Sequence, residues 1–172
     1  MRSRFVPWAV LTLTSLLSAP VAAQTDSAQA FGCSGPTQRQ FDFWVGSWNV
    51  TAQGRQAGIN DVTVEEGGCV LHEHWTGSRG GTGQSFNVYD QAIGKWHQFW
   101  VDNQGNYLHL TGSYGDSRLV LEGTGAGPDR KPQRHRLTFF QNADGSVRQL
   151  WETSGDDGRS WQVAFDGLYR KR

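Results

Sequence analysis

Apolar and polar residues alternate along most of this sequence in short runs, and the runs end in Gly, Asn or Asp. Alternation with a period of two is typical of β-strands, and those three residues are the ones that turns favour. The segments between the runs show no helical periodicity. The pattern predicts ten strands, at 43–52, 60–66, 70–76, 82–89, 95–102, 106–113, 118–124, 133–142, 146–154 and 161–170.

Short connections between these strands force neighbours to pair antiparallel. Many short strands at a spacing of about 8–12 residues are typical of a sandwich or barrel. The segment 36–43 precedes the strands, and Pro36 is placed as at the start of a short helical turn. We therefore predict a single all-β domain at 36–172, about ten-stranded and antiparallel, with a short N-terminal helical turn and a flexible segment at 24–35.

The N-terminus has the pattern of a secretory signal peptide. Arg2 and Arg4 precede an apolar stretch at 5–17, and small residues at 19–23 provide a cleavage site after Ala23. A membrane anchor is the alternative, but a span needs about 20 apolar residues. The pattern predicts a periplasmic or secreted protein.

Composition excludes some partners. Of the 172 residues, 149 follow Ala23, which is enough for one domain with a sizeable core. Residues 1–23 contain two of the 16 Lys and Arg side chains and none of the 16 acidic ones, so the remainder carries a net charge of −2. This balance predicts no nucleic-acid partner. No later segment is long enough to span a membrane, and the oligomeric state stays open.

The chain contains two cysteines, Cys33 and Cys69. In an exported protein an even pair predicts a disulfide, whereas in the cytosol it would indicate free thiols. The bond would tie the N-terminal segment to the sheet.

Gly46 and Trp48, which follow the run FDFW, resemble the GxW signature of lipocalins and their calycin relatives. In that group the Trp plugs one end of the barrel and a basic side chain from the last strand packs over it. The resemblance implies a calycin-like barrel closed by Trp48, with Arg170 as the basic side chain.

The chain also resembles a group of exported bacterial proteins described only as a domain of unknown function. The resemblance implies a calycin-like barrel and a periplasmic setting, and it implies no activity. It rests on the segments 41–50 (FDFWVGSWNV), 68–71 (GCVL), 73–77 (EHWTG), 95–98 (KWHQ), 100–102 (WVD) and 166–169 (DGLY).

Several strand faces mix tryptophan with Gln or Glu. Such a face is unusual in a dry core, because buried polar groups need partners, and it is common in ligand pockets. We therefore predict a cavity for a small apolar or amphipathic ligand. The alternative is that the tryptophans fill the interior and the polar residues face solvent. The predicted ligand-binding residues are Glu73, Trp75, Trp96, Gln98, Trp100, Gln149 and Trp151.

His72 and His74 lie two apart on a predicted strand, so both imidazoles project to one side. Such a pair can begin a zinc or iron site, with His97 or His109 as a third ligand. If Glu73 faces inward, however, both histidines face outward. The primary prediction is no metal cofactor.

The segment 154–161 matches the Asp-box pattern S-x-D-x-G-x-x-W, which we interpret as the turn of the final hairpin, because one copy cannot build a propeller.

No Ser-His-Asp order is evident. The sequence therefore favours a small-molecule binding protein. The alternatives are a barrel enzyme, either cyclase- or isomerase-like or metal-dependent through His72 and His74, and a structural or partner-binding envelope protein. In the enzyme alternatives, the candidate general acids are Glu73, Asp102 and Glu152.

Overall fold

The computed structural model describes residues 32–127 and 130–172, and it contains a closed barrel of ten antiparallel strands. Each strand pairs with its neighbours in sequence, and the first pairs with the last. The predicted all-β, ten-stranded antiparallel barrel is confirmed. The strands are β1 Gly46–Ala52, β2 Arg55–Glu65, β3 Val70–Gly77, β4 Thr82–Asp90, β5 Lys95–Asp102, β6 Tyr107–Gly115, β7 Arg118–Ala126, β8 Pro132–Gln141, β9 Val147–Ser154 and β10 Gln162–Lys171.

The predicted N-terminal turn is present as two short 3-10 helices, Pro36–Arg39 and Asp42–Trp44. No helix in the described part of the chain is long and apolar enough to cross a membrane. The predicted signal peptide at 1–23 and most of the predicted flexible segment at 24–35 lie outside the described residues.

The main difference from the predicted strands is the start of β2, which begins at Arg55 instead of residue 60. Gln53 and Gly54 both have positive φ, 50° and 72°, and form a tight turn directly after β1. Gln is a rare residue at positive φ, so the sequence gives little sign of this turn.

One end of the barrel is plugged by aromatic residues from the N-terminal helices. The fully buried Trp44 ring lies 4.9 Å from Phe41 and 4.7 Å from Phe139, between ring centroids. Trp48 on β1 is also fully buried, and its indole N–H donates to the Trp44 carbonyl at 2.9 Å. The predicted plugging role of Trp48 therefore belongs to a larger aromatic cluster.

The basic side chain over Trp48 is Lys171, and the assignment of Arg170 is wrong. Lys171 Nζ lies 3.8 Å from the centroid of the Trp48 ring and donates to the Val45 carbonyl. Directly opposite residues of an antiparallel pair share a face, and Lys171 is the partner of Trp48. Arg170 instead pairs with Asn49 and is exposed.

Replacing Lys171 with Met should lower the free energy of unfolding by about 1 kcal/mol, because a cation–π contact is lost. Arg170→Met is the matched control and should change it by less than about 0.5 kcal/mol. Urea unfolding of both variants measures the difference. Equal losses in the free energy of unfolding would show that the contact of Lys171 with Trp48 does not stabilise the protein.

A disulfide joins Cys33 and Cys69, as predicted. Cys69 directly follows the short helix Glu66–Gly68 between β2 and β3, and the Cys33 N–H donates to the Gly67 carbonyl at 3.0 Å. The bond therefore fixes the segment before the plug to the barrel wall. For two cysteines 36 residues apart, chain entropy gives about 3–4 kcal/mol of stabilisation.

The Asp-box segment forms the β9–β10 turn, as predicted. Asp156 Oδ1 accepts hydrogen bonds from the Ser154 hydroxyl at 2.7 Å and from the Ser160 N–H at 2.9 Å. Trp161 lies under Arg136, whose guanidinium carbon is 4.1 Å from the ring centroid. In this protein the motif stabilises a turn.

Candidate functional site

The half of the barrel remote from the plug contains a cavity of about 220 Å³. Trp75 and Trp100 lie near the ends of β3 and β5, and Trp151 lies just past the middle of β9, whereas the plug packs at the start of β1. Six of the seven predicted ligand-binding residues surround this space. The lining comprises Glu73, Trp75, Gln98, Trp100, Leu108, Leu137, Gln149, Trp151, Ala164, Phe165 and Tyr169.

Exposure to solvent falls from one end of the cavity to the other. The three tryptophans are half-buried and Ala164 is exposed, so they mark the rim. Glu73 is 4% exposed and Gln98 is 2% exposed, so they mark the floor. The cavity thus has an aromatic rim and a polar floor.

Trp96 differs from the prediction and does not line the cavity. It faces inward, but it is the second residue of β5 and lies at the plugged end. Its ring packs 5.7 Å from Phe41 and 5.7 Å from Tyr89, and its N–H donates to Gln40 Oε1 at 3.3 Å. Alternation identified its face but not its depth in the barrel.

Glycines on the inner face make room for the rim rings. A side-chain carbon at Gly83 would overlap the Trp100 ring, and one at Gly58 would overlap the Trp75 ring. Gly167 has the same relation to Phe165. These glycines let the rings lie against the barrel wall and leave the space between them open. The sequence pattern assigned glycines to turns and did not reveal this role.

A polar partner holds one rim indole by its edge. The Trp151 N–H donates to His135 Nδ1 at 3.1 Å. Burial lowers the pKa of His135, which keeps the ring neutral and able to accept. With its N–H group engaged, the Trp151 indole has only its apolar ring to offer a ligand.

Glu73 is the end of a directed chain of hydrogen bonds at the floor. Gln98 Nε2 donates to Asn87 Oδ1 at 2.9 Å, and Asn87 Nδ2 donates to Ser85 Oγ at 3.0 Å. The Ser85 hydroxyl then donates to Glu73 Oε2 at 2.6 Å. With its amide oriented so that nitrogen faces acceptors, Asn60 donates to Glu73 Oε1 at 3.2 Å. Both carboxyl oxygens therefore accept a hydrogen bond from the wall.

Burial raises the pKa of Glu73 to about 7, although the hydrogen bonds from Ser85 and Asn60 oppose this shift. Tyr169 is buried beside it, and its pKa is raised by burial and then by the charge of Glu73. The Tyr169 hydroxyl donates to Gln149 Oε1. The floor thus holds a carboxyl that titrates near neutrality and a phenol that stays protonated.

Strict alternation along β10 would put Val163, Phe165 and Tyr169 on one face of the strand, but a bulge breaks that face. The register of β10 against β9 shifts between Val163 and Phe165. Val163 is therefore 62% exposed, while Ala164 and Phe165 both line the cavity. Two adjacent residues facing inward are the mark of a bulge, which alternation cannot reveal.

His72 and His74 lie on the outer wall, because Glu73 and Trp75 face inward. His72 Nε2 bonds to Gln84 Oε1 at 2.9 Å, and its Nδ1 lies 3.1 Å from Glu65 Oε1 and 3.3 Å from His74 Nε2. On the same wall His97 and His109, the suggested third ligands, bond to each other at 2.9 Å. Within 32–127 and 130–172, no group of three or more His, Cys, Asp or Glu residues is arranged to hold a metal ion.

The sequence matches no protein-family model and no curated protein. The resemblance to exported calycin-like proteins therefore rests on the motifs alone. The barrel cavity is a concave site with polar and apolar lining, which is the usual form of a small-molecule site.

Proposed function

We propose that this chain is an exported protein that binds a small, partly apolar molecule in the barrel. The observation that carries the proposal is the cavity with its aromatic rim and its polar floor. Its volume of about 220 Å³ limits the ligand. Clefts for drug-sized ligands measure about 300–1,000 Å³, and a cavity of about 150 Å³ holds benzene. A single ring with a short polar chain fits between these limits.

The rim supports binding over a packed interior. The rings of Trp75, Trp100 and Trp151 remain half-buried, although each lies on the inner face. Covering such apolar surface yields about 25 cal/mol per Å². A ligand between the rings would gain this energy, while the floor residues would orient its polar end.

Export is supported by two separate observations. The Cys33–Cys69 disulfide is typical of an oxidising compartment. The first 23 residues have the order of a secretory signal. Together with the motif resemblance, they favour a periplasmic or secreted member of the calycin-like group.

Extraction tests the proposal. Protein purified under native conditions from the cells that make it should release one small compound at about one molecule per chain, as measured by mass spectrometry. Gly83→Ala displaces the Trp100 ring and should reduce the yield at least about fivefold, since a displaced wall group costs about 1 kcal/mol or more. Trp161→Phe, which changes a tryptophan on the outer wall, is the control and should retain the compound. The proposal would be contradicted if wild-type protein released no compound and also failed to bind added phenylalkyl amines, alcohols and carboxylates.

One observation favours a second candidate, an isomerase-like enzyme. A carboxyl with a pKa of about 7 in an apolar cavity is suited to general acid–base catalysis at neutral pH. In that case the extracted compound should be converted on incubation with fresh protein, and Glu73→Gln should stop the conversion. A compound recovered unchanged favours the binding protein.

A further inference from the structure

The charge around the cavity has one sign. Among the described residues that line it, Glu73 is a carboxyl and none is Lys, Arg or His. Five of the lining residues are aromatic: Trp75, Trp100, Trp151, Phe165 and Tyr169. Aromatic rings present a negative face and attract cations.

The Glu73 carboxyl has hydrogen-bond donors but no counter-ion. Ser85 and Asn60 donate to its two oxygens, and both are neutral. No positive charge contributes to its environment in the described part of the chain. The neighbouring titratable group on the facing strand is the Tyr169 phenol, which is neutral. An ionised carboxyl buried in this way is unfavourable until an opposite charge arrives.

We propose that the ligand is a small organic cation, an amine whose ammonium group pairs with Glu73 while its apolar body lies between the rim tryptophans. This inference rests on the proposed binding function and names the ligand class. The ammonium supplies the missing counter-ion, and the rim rings cover the apolar body of the ligand.

Two other ligand classes fit the floor less well. An anionic ligand would meet the charge of Glu73 without a basic side chain to offset it. A neutral ligand with a carbonyl group would require the protonated carboxyl as a donor. Above the Glu73 pKa of about 7 the carboxyl is ionised and cannot donate, and the Ser85 and Asn60 hydrogen bonds are made to that charged form.

Three ligands of one shape separate these classes. Calorimetric titration at pH 8.5 should show that 3-phenylpropylamine binds at least about tenfold more tightly than 3-phenyl-1-propanol, because only the amine forms the ion pair. The carboxylate 3-phenylpropanoate should not bind measurably. If the alcohol binds as tightly as the amine, the cation inference is wrong and the binding function stands. If none of the three compounds binds, both the cation inference and the proposed binding function are wrong.

The pH profile and one variant complete the test. The amine pairs with ionised Glu73, so its apparent affinity should fall about 30-fold between pH 8.5 and pH 5.5, as the ionised fraction falls below a pKa of about 7. The Tyr169 phenol stays protonated throughout this range. Glu73→Gln should weaken amine binding about a hundredfold and leave alcohol binding within about threefold.

The matched control is Glu152→Gln, which removes a carboxyl that pairs with Arg136 on the outer wall at 2.9 Å. It should leave the affinity for the amine within about twofold. A pH-independent affinity for the amine, or an equal loss of amine and alcohol in Glu73→Gln, would overturn the inference. The wild-type comparison needs no variant, so it holds even if Glu73→Gln fails to fold.

Discussion

Replacing Glu73 with Gln is expected to stabilise the ligand-free protein at pH 8, by roughly 3 kcal/mol. Glu73 ionises near pH 4.5 in the unfolded chain, but burial raises its pKa to about 7 in the folded protein. The raised folded-state pKa contributes stability that is fully present below about pH 4.5. That stability is lost as the pH rises through about 7. Gln cannot ionise, so the variant avoids this loss.

Urea unfolding of wild type and Glu73→Gln at pH 4.5 and pH 8 measures the effect. The two proteins should be similar in stability at pH 4.5, and the gap should open as the pH rises. Ser85 can still donate to the Gln oxygen, and Asn60 can rotate its amide to accept from the Gln nitrogen. Glu152→Gln is the control and should change stability by less than about 1 kcal/mol at either pH. Parallel pH curves for wild type and Glu73→Gln would contradict the assigned pKa.

Truncating Phe41 to Ala should remove about 3–5 kcal/mol from the free energy of unfolding. Phe41 is fully buried at the plugged end, and its ring lies 4.9 Å from Trp44, 5.0 Å from Phe139 and 5.7 Å from Trp96. The substitution leaves a cavity between three large rings that the rigid strands cannot close.

Phe86→Ala provides the comparison, because this phenylalanine is 46% exposed on the outer wall and stacks on His72. Its loss should cost less than about 1 kcal/mol. Thermal or urea unfolding of the two variants gives the contrast directly. If Phe41→Ala costs no more than Phe86→Ala, the N-terminal helices do not form the plug described above.

The barrel could be predicted from sequence because its strands are short, alternate in polarity and end in recognisable turns. The same alternation identified the inward face of β3, β5 and β9, and with it six residues that line the cavity. Alternation also implied that His72 and His74 face outward if Glu73 faces inward. The disulfide followed from the number of cysteines and the predicted export signal.

Other features depend on register and on position along the barrel, which alternation does not encode. Lys171, not Arg170, lies opposite Trp48 because one residue of register decides the face. The β10 bulge brought Ala164 inward beside Phe165. Tyr169 reaches Gln149 and lies near Glu73 only because β10 closes the barrel between β1 and β9. The alternation of polar and apolar residues therefore could not predict these contacts.

Indole N–H signals offer the most direct test of ligand binding inside the barrel. In a proton–nitrogen NMR spectrum, added 3-phenylpropylamine should shift the signals of the rim tryptophans Trp75, Trp100 and Trp151. The signals of Trp44 and Trp48 in the plug, of Trp96 beside it and of Trp161 on the outer wall should stay in place. Each signal is assigned by a Trp→Phe variant. No shift at any concentration, or shifts at Trp161 alone, would show that the barrel interior does not take the ligand.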